Sequence, residues 1–312
     1  MGLYMIQPYE PGKIPVVMVH GLWSSPMTWM EMFNDLRSQA QLRQRYQFWF
    51  YLYPTAQPFW ISGAQFRRDL AAVREVVDPQ HQEPALDQMV LIGHSMGGLV
   101  SKLQTSSSGD AYWKTVSQQP FQEVKADAEV RAKLEYCFFF QPNPSVRKVI
   151  TIGTPHRGSN RSNQTTQWLL SKLINLPKVI VESQQQLFRD NPNAFGDKSL
   201  LRIQTSIDSL DPATPIFPVM LASPKAPWVR YHNIVGVAPT TGFFKYVPGD
   251  GDGVVSLQSA RVENAESEVI VPADHTTVQC HPLAVLEVRR ILLEHLAELE
   301  GQPAPGPAVA AR

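Results

Sequence analysis

The chain has 312 residues, enough for one large α/β domain with insertions or for two domains. Its 28 basic and 28 acidic residues cancel, so the chain lacks the positive field that nucleic-acid binding usually requires. Hydrophobic residues make up 43% and charged residues 18%, a composition that provides a sizeable core and excludes a disordered chain.

The chain shows no sign of membrane insertion or of a disulfide framework. No apolar run approaches the roughly 18 residues that span a bilayer, so we expect no transmembrane segment. Residues 1–5 lack the basic start and apolar run of a signal peptide. Because the first buried strand lies so near the N-terminus, truncation of a longer parent that carries a signal is left open as an alternative, and localisation stays open with it. Cys137 and Cys280 are expected to be two buried free thiols.

Short apolar runs alternate with segments of helical periodicity along most of the chain. The continuous apolar runs, typical of strands buried on both faces of a parallel sheet, are residues 14–20, 48–53, 89–93, 148–152, 232–237 and 268–271. Helical spacing of apolar residues occurs at 25–37, 62–77, 96–104 and 283–299. This alternation predicts an α/β fold, with a mostly parallel central sheet flanked by helices. Residues 2–9 are a candidate for a leading strand.

Two intervals are too long to be ordinary strand–helix connections. Residues 105–145 are interpreted as one insertion, and residues 157–230 as a second that forms a helical cap or lid around an apolar stretch at 168–174. The predicted organisation is therefore a core of residues 1–156 and 231–300, a cap at 157–230, and a disordered tail at 301–312, which is rich in Pro, Ala and Gly.

The most specific motif is Gly93-His94-Ser95-Met96-Gly97, which matches G-x-S-x-G between a predicted strand and a predicted helix. The two glycines allow the chain to pass through a sharp turn. That turn presents the Ser95 hydroxyl above the sheet, close to a helix N-terminus that favours negative charge. The motif therefore predicts that Ser95 is a nucleophile.

This motif resembles the nucleophile elbow of the α/β-hydrolase superfamily, in its esterase and lipase branch. The resemblance runs from about residue 16 to residue 299 and is weak across the two insertions. Three further segments are similar to that family: the His20-Gly21 loop, the T-P-H-R-G-S stretch at 154–159, and the D-G-V-V-S loop at 252–256. The resemblance implies the α/β-hydrolase fold with helical cap or lid insertions, an oxyanion-hole donor in the first loop and an acid in the last.

A serine nucleophile needs a base that accepts its proton and an acid that orients the base. In this fold the chain order is serine, acid, histidine, which confines the base to His232, His275, His281 or His295. His275 lies just past the last predicted strand, where the family has its base, and His281 is the alternative. His295, beside charged residues on the closing helix, is expected to be solvated.

Asp252 fits the family's D-G-x-V acid pattern, and Asp250 is the alternative acid. His20, His94 and His156 cannot obey the chain order and are interpreted as structural, with His94 shaping the turn beside the serine. The sequence contains neither H-E-x-x-H nor C-x-x-C, so we expect no metal and no cofactor.

The backbone N–H groups of Leu22 and Met96 are expected to form the oxyanion hole. An apolar substrate pocket is predicted from side chains in loops and insertions, namely Trp23, Trp168, Leu169 and Leu173. Plain packing of the insertions is the alternative interpretation of these four. The predicted partner is a small-molecule ester with an apolar acyl or aromatic acid group.

The sequence as a whole predicts a serine hydrolase that cleaves carboxylic esters through an acyl-enzyme. The alternatives are a lipase acting on long-chain acylglycerols and an acyltransferase or thioesterase with the same triad. The oligomeric state is left open.

Overall fold

A computed structural model of the chain describes residues 1–159, 185–197, 199–239 and 251–301. Within them one seven-stranded sheet has the spatial order β1-β3-β2-β4-β5-β6-β7. The strands are β1 (Gly2–Met5), β2 (Ile14–Val19), β3 (Tyr46–Leu52), β4 (Met89–His94), β5 (Val146–Ile152), β6 (Arg230–Gly236) and β7 (Ser267–Val271). Strand β1 pairs antiparallel with β3, and every other neighbouring pair is parallel. The predicted mostly parallel sheet is confirmed.

Helices cover both faces of this sheet. They are α1 (Met30–Ser38), α2 (Ala40–Arg45), α3 (Phe59–Val77), α4 (Met96–Lys102), α5 (Ala111–Lys114), α6 (Ala128–Phe138), α7 (Ser206–Ser209), α8 (Ile216–Ala222), α9 (Leu257–Ala260) and α10 (Pro282–Leu299). Residues 185–190 are also helical. None of these described helices combines the length and the apolar character needed to cross a bilayer.

Two apolar cores result from the alternation of side chains along the strands. Val17 and Val19 of β2 face one core, together with α3 and α4, whereas Val16 and Met18 face the other, together with α1 and α10. Because successive side chains of a strand point to opposite faces, an unbroken apolar run is what a strand covered on both sides requires.

Most of the first insertion and part of the second pack on the same side of the sheet. Tyr112 and Trp113 of α5 and Phe138 of α6 join the core that contains α3 and α4, and so does Phe217 of α8. Residues 160–184, 198, 240–250 and 302–312 lie outside the described residues. They include much of the predicted cap and nearly all of the predicted tail, so the division into core, cap and tail stays a prediction.

Two expectations about single residues change with the structure. His295 was expected to be solvated, and that expectation is wrong: its side chain is buried on the inner face of α10, where the Tyr46 hydroxyl lies 3.1 Å from its Nδ1. Cys137 and Cys280 are free thiols, as expected, but both are half-buried.

Candidate active site

The turn between β4 and α4 presents Ser95 in a strained conformation. Its φ of 52° and ψ of −125° lie where residues other than glycine rarely occur. Glycine is required on both sides, because a Cβ on Gly93 would lie 2.5 Å from the Gly97 carbonyl oxygen, and one on Gly97 only 2.2 Å from the Val19 carbonyl oxygen. The Ser95 N–H donates to the carbonyl of Ile152 at 2.9 Å, which ties the turn to β5.

His275 lies within hydrogen-bond distance of both other residues of the predicted triad. His275 Nε2 is 2.9 Å from Ser95 Oγ, and His275 Nδ1 is 2.7 Å from Asp252 Oδ2. The carboxylate can only accept, so Nδ1 carries the imidazole proton and Nε2 is left with its lone pair facing the serine hydroxyl. The chain therefore brings together a hydroxyl, an imidazole nitrogen that faces it, and a carboxylate on the other side of the imidazole.

Asp252 is held rigidly in the loop that follows β6. Its Oδ1 accepts hydrogen bonds from the N–H groups of Val254 at 3.0 Å and Val255 at 2.7 Å, which leaves Oδ2 for the histidine. The side chain is almost fully buried, and its backbone carbonyl accepts the His275 N–H at 2.9 Å. Asp252 thus orients both the backbone and the ring of His275.

The electrostatics of the site favour a histidine that readily takes up a proton. Burial by itself lowers the pKa of His275, but the negative charge of Asp252 and the hydrogen bond to it outweigh burial, so the pKa is raised above its ordinary value. The nearby charge of Asp274 acts in the same direction. An imidazolium formed at this position is therefore stabilised by its surroundings.

The loop after β2 lies directly against the nucleophile. A Cβ on Gly21 would lie 2.9 Å from the Ser95 Cβ, so a larger residue here would displace the serine. Within the described residues, the backbone N–H groups of Leu22 and Met96 have no hydrogen-bond acceptor. Two unpaired donors next to the serine could receive the negative charge of a tetrahedral intermediate.

Residues 16–288 match the family model described as the alpha/beta hydrolase family. The chain belongs to this family. No curated protein matches this hydrolase.

A comparison with solved structures finds similar chains at low sequence identity. Lipase BlEst2 of Bacillus licheniformis in mature form is 19% identical, with a TM-score of 0.48 over 93% of this chain and 97% of the other. A gene product of Listeria innocua is 14% identical, with a TM-score of 0.46 over 90% and 94%. A lipase-esterase related protein from Clostridium acetobutylicum is 12% identical, with a TM-score of 0.44 over 93% and 97%.

The alternative bases occupy other positions in this hydrolase. His281 precedes α10 and its Nδ1 accepts the Leu283 N–H at 3.2 Å, so it caps the helix. His232 Nδ1 is 2.9 Å from Ser267 Oγ in the sheet interior. The alternative acid, Asp250, lies outside the described residues.

Of the four predicted pocket residues, only Trp23 is described. It is half-buried in the loop after β2, and its indole N–H has no hydrogen-bond acceptor among the described residues. Trp168, Leu169 and Leu173 lie outside the described residues. In the part of the chain that the structure describes, no group of three or more His, Cys, Asp or Glu side chains is arranged to hold a metal ion.

Sequence reasoning did not single out Gly153, which lies behind the triad. It follows β5 with a φ of +55°, and a Cβ there would be 3.2 Å from Asp252 Oδ2 and 3.6 Å from His275 Nδ1. A glycine directly after a buried strand was the available signal, because the carboxyl ends of parallel strands surround the site of an open α/β sheet.

Proposed function

We propose that this hydrolase cleaves carboxylic esters through an acyl-enzyme, with Ser95 as nucleophile, His275 as general base and Asp252 as orienting acid. The observation that carries the proposal is the continuous hydrogen-bonded series from Ser95 Oγ through the His275 ring to the Asp252 carboxylate. A hydroxyl is a weak nucleophile at neutral pH, and this series supplies the proton acceptor that it needs.

In the first step Ser95 Oγ attacks the ester carbonyl carbon, and its proton moves to His275 Nε2. The negative charge that develops on the carbonyl oxygen is received by the N–H groups of Leu22 and Met96, each contributing about 3 kcal/mol to transition-state stabilisation. His275 then gives its proton to the departing alcohol, and the acyl group remains on Ser95.

In the second step a water molecule takes the place of the alcohol. His275 accepts a proton from this water as the water oxygen attacks the acyl carbon. The bond between the acyl carbon and Ser95 Oγ then breaks, His275 returns the proton to Oγ, and the carboxylic acid is released. Asp252 keeps the ring in the Nδ1–H tautomer throughout and stabilises the imidazolium formed in each half of the cycle.

The proposed substrate is a small ester with an apolar acyl or aromatic acid group. The half-buried Trp23, which directly follows the predicted oxyanion donor Leu22, supports an apolar wall near the serine. The predicted cap residues Trp168, Leu169 and Leu173 would extend that wall over the acyl chain.

A panel of p-nitrophenyl esters from acetyl to palmitoyl, together with matched acyl thioesters, tests the proposal. We expect hydrolysis of oxygen esters that disappears in Ser95→Ala and persists in Ser38→Ala, a serine at the C-terminal end of α1. Turnover of thioesters alone would contradict the ester proposal. Activity that rises sharply above the solubility limit of a long-chain ester would point to an interfacial lipase.

A further inference from the structure

His94 makes one hydrogen bond that joins the nucleophile turn to the segment bearing the base. It immediately precedes Ser95, its side chain is buried, and its Nε2 lies 2.9 Å from the backbone carbonyl oxygen of His275. A carbonyl can only accept, so the His94 Nε2 carries the proton and donates it. The two residues are 181 positions apart in the chain.

This bond completes a set of four contacts that hold His275. Asp252 accepts from its backbone N–H at 2.9 Å and from its ring Nδ1–H at 2.7 Å. On the other side Ser95 contacts its Nε2 at 2.9 Å, and His94 donates to its carbonyl at 2.9 Å. His94 therefore holds the backbone of His275, and the adjacent Ser95 contacts its ring.

The segment that carries His275 is anchored by burial at two points, Ala273 and Val278, which belong to an apolar core. The side chains of Asp274 and Thr276 on either side of His275 are exposed, so between those two points the segment is held mainly by hydrogen bonds. The hydrogen bonds of the Asp274 carboxylate to Thr276 and Thr277 lie within the segment and do not connect it to the nucleophile turn.

The His94 ring itself is fixed by its neighbours. The fully buried Trp29 ring meets it edge-on with 6.5 Å between centroids, and a Cβ on Gly21 would lie 3.1 Å from its Nδ1. The His94 ring is thus flanked by the Trp29 ring and the Gly21 backbone, which restrict its movement.

His94 also donates without adding charge. Burial first, and the neighbouring His275 second, lower the pKa of His94 to about 3, so the ring stays neutral where the enzyme would work. The two rings are 5.0 Å apart between centroids, and a cation at His94 would oppose the imidazolium that forms on His275.

We propose that His94 is a positioning residue, which keeps the His275 ring at hydrogen-bond distance from Ser95 by donating its Nε2–H to the His275 carbonyl. The inference rests on the proposed function. In this proposal His94, which lies between Gly93 and Ser95 in the motif, helps to hold His275 in place as well as to shape the turn.

The test compares the rate at which a fluorophosphonate reacts with Ser95 in four proteins: the natural chain, His94→Leu, His94→Gln and His295→Leu. In this reaction Ser95 Oγ bonds to phosphorus, fluoride leaves and His275 takes the proton. The rate therefore measures the reactivity of the serine–histidine pair, whatever the natural substrate is. Leu removes the donor, and Gln restores an N–H donor near the position of Nε2. His295→Leu is the matched control, because His295 is a similarly buried histidine outside the triad.

We expect His94→Leu to lower the second-order rate constant about tenfold, equivalent to about 1.4 kcal/mol, and His94→Gln to return it to within about threefold. His295→Leu should lower the melting temperature and leave the rate constant nearly unchanged. Equal rates for the natural chain and His94→Leu, equal losses for Leu and Gln, or an equal loss in His295→Leu would each overturn the inference. If the natural chain does not react at Ser95, the proposed function fails instead.

A second measurement does not depend on the folding of His94→Leu. Nitrogen-15 NMR of the histidine-labelled natural chain should show the His94 ring protonated at Nε2 and unprotonated at Nδ1 from about pH 5 to pH 8. The His94 signals are those missing from the His94→Gln spectrum. A ring protonated at Nδ1 alone cannot donate to the His275 carbonyl and would overturn the inference.

Discussion

Replacing Asp252 by Asn should change the tautomer of the His275 ring while the surrounding loop stays folded. The Asn carbonyl oxygen can still accept the N–H groups of Val254 and Val255, so we expect the loop after β6 to remain folded. The Asn NH2 group then faces His275 Nδ1 in place of the carboxylate. Because that nitrogen must now accept a hydrogen bond, the ring proton moves to Nε2, and the base can no longer take the Ser95 proton.

The expected loss is large because the wrong tautomer stops the first proton transfer. In serine proteases the same change lowers kcat about 10⁴-fold, which corresponds to about 5.4 kcal/mol of activation free energy. We expect a comparable fall in kcat for p-nitrophenyl butyrate, with an unchanged far-ultraviolet circular dichroism spectrum. Retention of more than about a tenth of kcat in the folded variant would refute the role given to Asp252.

Asp274→Asn is the matched control, because Asp274 adjoins His275 in sequence and accepts its hydrogen bonds from Thr276 and Thr277. We expect kcat within about threefold of the natural chain. The charge of Asp274 helps to raise the pKa of His275, and activity needs the neutral ring. In the natural chain, the pKa obtained from the acid limb of the pH profile of kcat/KM should therefore lie above the ordinary histidine value. In Asp274→Asn this limb should move to lower pH. A shift to higher pH would contradict this electrostatic account.

Two further predictions rest on the structure, and a third rests on the sequence alone. Gly21→Ala should lower kcat at least tenfold, because its Cβ would lie 2.9 Å from the Ser95 Cβ; a variant with unchanged steady-state kinetics would contradict that contact. Burial, and secondarily the charge of Arg157, lower the pKa of Lys102 to about 8. Its folded-state pKa lies below the unfolded value, so stability rises as the pH increases from about 8 to about 10. Lys102→Met should raise the free energy of unfolding by about 1–2 kcal/mol at pH 7, with a smaller gain at pH 10; urea titrations that show the reverse order would refute it. Polar substitution of Trp168 should reduce octanoyl ester turnover more than acetyl ester turnover; equal losses would mean that this residue only supports the fold.

The strands and the nucleophile turn were predictable because their signals are local. An unbroken apolar run such as residues 89–93 requires helices on both faces of its strand, and that covering is what the structure has. The flanking glycines of the turn are likewise required by collisions within a few residues of Ser95 or with the adjacent strand β2. Patterns of this kind depend on the backbone geometry of the element itself.

The features that sequence reasoning missed depend on contacts between distant parts of the chain. The charged neighbours of His295 suggested an exposed side chain, but the inner face of α10 places this ring against Tyr46 at the start of β3. The donation from His94 to the His275 carbonyl likewise leaves no local pattern, because a carbonyl is present on every residue. Chain order, together with the place of the base in the resembled family, could select His275 but could not indicate what holds it in place.

The most direct test of the proposed mechanism is the detection of an acyl group on Ser95 during turnover. The chain is mixed with p-nitrophenyl butyrate, quenched in acid within the first turnovers, digested and analysed by mass spectrometry. We predict a butyryl group on the peptide that contains Ser95, and neither that adduct nor turnover in Ser95→Ala. Ester hydrolysis without an adduct on this peptide, or a butyryl group on another residue that forms and disappears at the rate of turnover, would contradict the assignment of Ser95 as the nucleophile.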